Sequence, residues 1–554
     1  MNRKHLLSLL VVAALALSLF CPAMAMDLSA YKDQLVILHT NDIHGHALTD
    51  IANGQFGYAA VAKLKKDLVE AGASVLLLDA GDAIQGTPLV NLSLGKVALE
   101  MMNESGYDAM SPGNHEFDWG LDNFLQISEV ANFPILAANI VYKANEEHIF
   151  TPNVTFDMPN GMKVGVFAVD TPETITKTHP DKVRDMRMFM GDELYTCVQG
   201  QVDELKAAGC DYIVALFHLG INDESAPNRS TDVLEKVTGI DIAIDGHSHT
   251  EIDGGEMIND QMLVSTGEYF HNIGFVSFDG EKTAARLIRS KMDSYIASAI
   301  NANPDVLFDP YVKDVVDSAN MVVQDQLSVA FATTEVLLNG ERDPGVRTEE
   351  TNLGNFSADA MLWAANEALG EGTVVAAISN GGGIRATIDA GEITMNDMKT
   401  VFPYGNEVVV LTITGNELLE ALESATYTTP DAIGAFPQVA GIDFTIDTTV
   451  AYEQGEMYPD STYYAPANLG SRVSIQTVGG QPFDPEALYT ITTSDFTAAG
   501  GDTYYVLRYA YQTSGYATGV ALEDALINYI AKELGGVVTA EAYGATEGRI
   551  TIKK

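Results

Sequence analysis

The chain has 554 residues and carries 31 basic against 76 acidic side chains, a formal net charge of −45 at pH 7. Such a surface repels nucleic-acid polymers and anionic membranes, and a hydrophobic content of 46% excludes a disordered chain. The length exceeds what a single core usually serves, so two or more domains are expected.

Residues 1–25 read as an export signal. Arg3 and Lys4 give a charged start, Leu6 to Phe20 an apolar stretch, and Ala23-Met24-Ala25 a small-x-small cleavage site. No other long apolar run follows, so the mature protein is expected in a periplasm or outside the cell, with no membrane span. Its cysteines, Cys197 and Cys210, flank a helix-like stretch that holds them about 20 Å apart, too far for a disulfide. Any phosphate site in so acidic a chain has to be locally positive, from metal ions or arginines.

From Gln34 onward, short apolar runs (LVILH, SVLLLDA, KVGVFAV, YIVALF, DIAID) alternate with helix-like amphipathic stretches such as Tyr58 to Ala71. The pattern predicts an α/β unit over residues 26–291. Residues 292–326 are helix-prone and predict a linking segment. A second, α+β unit is expected over 327–554, with strands near Val374–Ile378, Glu407–Ile413 and Leu488–Thr493.

Polar residues cluster where the apolar runs of the first unit stop. LVILHT leads into Asn41-Asp42-Ile43-His44, LLLDA into Gly81-Asp82, and Tyr107 to Pro112 into Gly113-Asn114-His115-Glu116. VALF ends in His218, and IAID in Gly246-His247-Ser248-His249. Carboxyl ends of strands in open α/β sheets gather where ligands bind, so the five clusters are expected to share one region. Imidazole, carboxylate and amide oxygen together suit Zn, Mn, Co or Fe better than Mg or Ca. His5, His39, His46, His148, His179 and His271 have no evident partner and are read as structural or surface residues.

The blocks NDIHGH, GDAIQGTP, GNHEFDWG, FHLG and DGHSHT resemble the five motifs of the calcineurin-like metallophosphoesterases, in the order found in the 5′-nucleotidase branch. The resemblance implies a four-layer αββα sandwich, two mixed sheets flanked by helices, holding two divalent metal ions. One ion falls to Asp42, His44 and His249, the other to Asn114, His218 and His247, with Asp82 bridging. Two cations about 3.5–4 Å apart neutralise a phosphoester and lower the pKa of a bound water. His115 takes the place of the catalytic histidine. Asp118 either orients that imidazole or caps the helix beginning after Gly120.

In the second unit, Asn380-Gly381-Gly382-Gly383-Ile384-Arg385 follows a strand. Its glycines, Gly382 among them, let backbone approach a ligand, and Arg385 offers a fork to phosphate or carboxylate. Arg347 precedes a helix. Tyr404 sits in a Pro/Gly turn and Phe496 lies beyond the strand YTITT. The blocks NGGGIR, FPYGN and SDFTAAGGD resemble the 5′-nucleotidase C-terminal domain. By that resemblance Tyr404 and Phe496 clamp a base, Asp502 binds ribose hydroxyls, and Arg347, Arg385, Asn380 and Asn406 hold the remaining polar groups. The family's further arginine, four positions before Arg347, is replaced by Asp343, with Arg342 beside it. In this family the second domain rotates to carry the nucleotide to the metals, with a hinge expected near 320–330.

The expected reaction is removal of the 5′-phosphate from nucleotides. Its rivals are UDP-sugar or nucleotide pyrophosphate hydrolysis, 2′,3′-cyclic nucleotide phosphodiesterase and thiosulfate-ester hydrolysis. A non-enzymatic nucleotide-binding surface protein is disfavoured, because every metal position and His115 are present.

Overall fold

The computed structural model describes residues 27–51, 54–289, 307–459 and 461–554. The expected export signal, residues 1–25, lies outside them, as does much of the expected linking segment.

In the first domain β1 (Leu35–Thr40), β2 (Ser74–Asp79) and β3 (Ala109–Met110) run parallel. A second sheet contains β4 (Asn153–Asp157), β5 (Lys163–Asp170), β6 (Tyr212–His218), β7 (Ile242–Ile244), β8 (Glu251–Ile258) and β9 (Gln261–Thr266), in the order β8-β9-β7-β6-β5-β4. The chain then returns to the first sheet with β10 (Asn272–Phe278) and β11 (Thr283–Arg289), completing β11-β10-β1-β2-β3. Both sheets are mixed, with antiparallel strands at their margins.

Alternation along the strands explains the layering. Leu35, Ile37, Leu76 and Leu78 face Val164, Val166, Tyr212 and Val214 of the other sheet in one buried cluster. Their neighbours Val36, Leu38, Val75 and Leu77 point the opposite way, onto α1 (Gly57–Glu70), α2 (Lys96–Ser105) and α3 (Leu121–Ser128). On the far side Phe167, Ile213, Ala215 and Phe217 meet α4 (Asp192–Ala207) and α5 (Ser230–Lys236). Continuous apolar runs are what strands buried on both faces require. The result is helix, sheet, sheet, helix, the expected αββα sandwich.

Helix α6 (Pro310–Leu327) is capped by Asp309, whose carboxylate accepts from Tyr311 N and Val312 N. It lays Val312, Val316, Val323 and Leu327 onto the core of the first domain. The second domain centres on β12 (Ala376–Asn380), β13 (Glu407–Thr414), β14 (Pro437–Ala440), β15 (Leu488–Ser494) and β16 (Tyr516–Ala521), in the order β14-β12-β15-β13-β16. One face packs on α7 (Asn352–Leu369) and α8 (Leu522–Lys532), the other on a separate apolar cluster around Leu418, Phe436 and Phe444. Cys197 and Cys210 are unpaired. No described helix is long and apolar enough to cross a membrane.

Candidate active site

β1, β2 and β3 are parallel in one sheet and β6 and β7 are parallel in the other, so five strand ends meet at one rim of the sandwich. The loops leaving them lock to one another through their backbones. Asp42 N donates to Gly81 O at 2.9 Å, and His44 N donates to Asp82 O at 2.8 Å. His115 N donates to Asp82 Oδ1 at 2.9 Å, while His247 N reaches both oxygens of Asp42 at 3.1 Å. Asp42, His44, Asp82, His247 and His249 all have positive φ, between 47° and 73°. Such backbone costs a non-glycine residue about 1–3 kcal/mol and persists only where the surroundings enforce it. Gly81 (φ +97°) has a further reason to lack a side chain, since a Cβ there would lie 2.7 Å from His218 Nδ1 and from Gly113 N.

Four imidazoles follow one rule, each donating through one ring nitrogen and turning the other into a shared space. His44 Nδ1 donates to Gln85 O (3.1 Å), His218 Nδ1 to Ala80 O (2.7 Å), His247 Nε2 to Glu173 (3.0 Å) and His249 Nδ1 to Glu268. The nitrogens left over face other acceptors. His44 Nε2 lies 3.2 Å from His249 Nε2, His218 Nε2 lies 3.2 Å from Asp82 Oδ2, and His247 Nδ1 lies 2.9 Å from Asn114 Oδ1. His249 Nε2 is 3.4 Å from Asp42 Oδ1, and Asp82 Oδ2 is also 3.6 Å from His44 Nε2. His218 Nε2 is buried with no hydrogen-bond partner.

Lone pairs set against lone pairs in a buried site need positive charge between them. A proton serves one such pair, whereas a divalent cation serves several at once. Oriented imidazoles with their second nitrogen tied to carboxylate or carbonyl are the usual support of a metal centre. The groups Asp42, His44, His249 and Asp42, Asp82, His218 each bring ligating atoms within 4.8 Å of one another. The donor set therefore fits divalent metal.

His115 stands beside this floor. Its Nδ1 is 2.7 Å from Asp118 Oδ2, and a ring nitrogen lies within 4.8 Å of the ligating atoms of His44 and Asp82. Asp118 orients an imidazole and is not the N-cap of α3. The residue at the head of α3 is Gly120.

The second domain closes the cleft from above. Arg347, Asn380, Gly382, Arg385, Tyr404, Asn406, Phe496 and Asp502 line the same cavity as Asp82, Asn114, His115, Asp118, His247 and His249. Asp42, His44 and His218 lie beneath its floor, almost wholly buried. The cavity, its open mouth included, encloses about 820 Å³. Tyr404 stacks on His115 with ring centroids 5.6 Å apart and 19° between planes, and the Arg385 guanidinium lies over the Tyr404 ring, 5.9 Å from its centroid. Burial, with Arg342 and Arg385 nearby, pulls Arg347 down to about 9. Asn380 Nδ2 donates to Asp502 Oδ2 at 3.1 Å.

The residues that match a calcineurin-like phosphoesterase model run from 35 to 251, and those that match a 5′-nucleotidase C-terminal domain model run from 329 to 509. The UshA protein of Yersinia enterocolitica is 30% identical over 89% of this chain and 90% of its own length. The chain belongs to the 5′-nucleotidase family of metallophosphoesterases. A trifunctional nucleotide phosphoesterase, YfkN of Bacillus subtilis, is 33% identical over 93% of the chain, which spans 35% of that longer protein. Among solved structures, a 5′-nucleotidase precursor from Thermus thermophilus superposes with a TM-score of 0.74 at 28% identity, covering 94% of this chain and 99% of that one. As a member of this family the chain is a metal-dependent phosphoesterase.

Within this 5′-nucleotidase fold, the carboxylates that hold the site together went unremarked in the sequence. Glu116 accepts from Asp82 N (2.8 Å), Ala83 N (2.8 Å) and Gly113 N (2.6 Å), pinning two loops to one side chain. Burial and the nearby Asp82 push it up to about 7. Glu173 is kept ionised, at about 2, because the His247 hydrogen bond and Lys177 overcome its burial. A signal for Glu173 existed: strand β5 also ends in a polar run, Asp170-Thr171-Pro172-Glu173. Of the histidines set aside, His179 also lines the cavity, with Nε2 3.8 Å from Asp495 Oδ2, and His46 stacks on Tyr269 with centroids 4.2 Å apart.

Proposed function

We propose that the protein is an exported phosphohydrolase that removes the 5′-phosphate of nucleoside 5′-phosphates with two divalent metal ions, of Zn, Mn, Co or Fe. One observation carries this reading: a single cleft has imidazoles and carboxylates on its floor and aromatic rings, arginines and Asp502 on its roof. A phosphate at the floor and a nucleoside at the roof span it.

Asp42, His44 and His249 would hold one ion and Asn114, His218 and His247 the other, with Asp82 between the two sets. Bound there, the ions would neutralise the phosphoester and acidify water at the reacting phosphorus. The remaining work falls to side chains. His115, oriented by Asp118, stabilises charge developing on phosphate and supplies a proton to the leaving 5′-oxygen. Arg385 and Arg347 answer substrate charge in a chain that is otherwise strongly acidic. Tyr404 and Phe496 offer faces to the base, Asn380, Asn406 and the Gly382 backbone offer polar contacts, and Asp502 accepts from ribose hydroxyls. We assign residues 1–25 to the export signal, 26–291 to the phosphoesterase domain, 292–326 to the link and 327–554 to the substrate domain.

The test follows nucleotide products by chromatography, and free phosphate beside them, for AMP, ADP, ATP, UDP-glucose and 2′,3′-cyclic AMP, each with and without chelator. AMP should be hydrolysed and chelator should stop it. Turnover of the sugar nucleotide or the cyclic ester in preference to AMP would overturn the substrate assignment.

A further inference from the structure

Lys177 closes a short helix, Thr174–Lys177, on the first domain. Its side chain is 13% exposed and surrounded by three carboxylates: Glu224 at 3.5 Å, Asp502 at 3.6 Å and Glu173 at 3.8 Å. The face of Tyr463 covers it at 5.6 Å. Glu173 and Glu224 belong to Lys177's own domain, whereas Asp502 comes from the other. The contact is doubled by backbone, since Asp502 N donates to Thr176 O at 2.7 Å.

The two oxygens of Asp502 are thus held from opposite domains. Oδ2 accepts from Asn380 of the second domain, and Oδ1 faces the Lys177 ammonium of the first. Asp502 itself sits at φ +50°, a conformation kept only where contacts enforce it. Without the ammonium, its carboxylate would share a buried space with two others, and like charges so placed turn away or take up protons.

We propose that Lys177 is a positioning residue for nucleoside recognition: it reaches across the domain boundary and aims the Asp502 carboxylate at the ribose. This rests on the reading of Asp502 as the ribose contact. Lys177 is one of the groups that hold Glu173 ionised, and the His247 hydrogen bond to it remains as another, so the loss of Lys177 should be felt mainly at the nucleoside end.

Three substrates and a mutant cycle test this. Lys177→Met should lower kcat/KM for AMP about 30-fold, the effect of losing one charge-assisted contact. Turnover of p-nitrophenyl phosphate, which has no ribose, should change less than about threefold. Lys177→Arg, which keeps the charge, should restore most AMP activity. Adding Lys177→Met to Asp502→Asn should cost little more than Asp502→Asn alone, because the two act as one unit. Should Lys177→Met fail to fold, as judged by its thermal unfolding transition, the same cycle is run with Lys177→Arg and Lys177→Gln. Equal losses on AMP and the aryl ester, additive losses in the cycle, or no loss on AMP would each overturn the proposal. Wild-type protein that cleaves the aryl ester but neither AMP nor 2′-deoxy-AMP would instead sink the nucleotidase reading and this proposal with it.

Discussion

On the floor of the cleft, Asp42, His44, Asp82, Asn114 and His218 are each 2% exposed or less, held by strained backbone at Asp42, His44 and Asp82 and by buried hydrogen bonds at Asn114 and His218. On its roof, Arg347, Arg385, Tyr404 and Asn406 are half-buried and extend from loops. A floor of this kind is assembled once, at folding, and tolerates little change. The roof is less uniform, since Asn380, Phe496 and Asp502 are buried while these four are partly open to solvent. On the proposed reading chemistry and selection should be separable: losses on the floor should fall on every phosphoester, and losses on the roof only on nucleotides.

The sharpest way to break that contrast is at Asp82, which faces both His44 and His218. Asp82→Asn, or exhaustive chelation of the wild type, should remove several kcal/mol of transition-state stabilisation, about 10³-fold or more in rate, for AMP and p-nitrophenyl phosphate alike. Chelator-resistant turnover would rule out a metal floor. Next in size, His115→Ala should cost about 10³-fold in kcat on both substrates while leaving AMP affinity close to wild type, measured by calorimetry. A matching collapse of AMP binding would move His115 from the chemistry to the roof. The smallest effect belongs to Phe496→Ala, which should raise KM for AMP about 10- to 100-fold by removing one base stack, and should spare the aryl ester. If both substrates suffer equally, floor and roof are not separable.

The strands and the polar runs that end them were legible because both follow from local pattern. LVILHT, SVLLLD, YIVALFH and IAI are each strands in the structure, and each ends at residues of the floor. Two mixed sheets were implied by family resemblance alone, since apolar runs do not say which sheet they join. Asp118 was ambiguous because a carboxylate three residues past a histidine serves equally to orient it or to cap a helix, and only the position of Gly120 decides. Glu116, Glu268 and Lys177 were illegible for a different reason. Each acts on a group far along the chain or on a neighbouring loop's backbone, and spacing carries no trace of such pairings. Even so, the alternation of apolar runs and polar ends placed most of the floor, while the roof depended on motif resemblance.

Four backbone amides from two loops converge on Glu116, those of Asp82, Ala83, Ile84 and Gly113. The fastening of these loops is thus supplied by the polypeptide itself. The loops are therefore expected to keep their outline whether or not ions are bound.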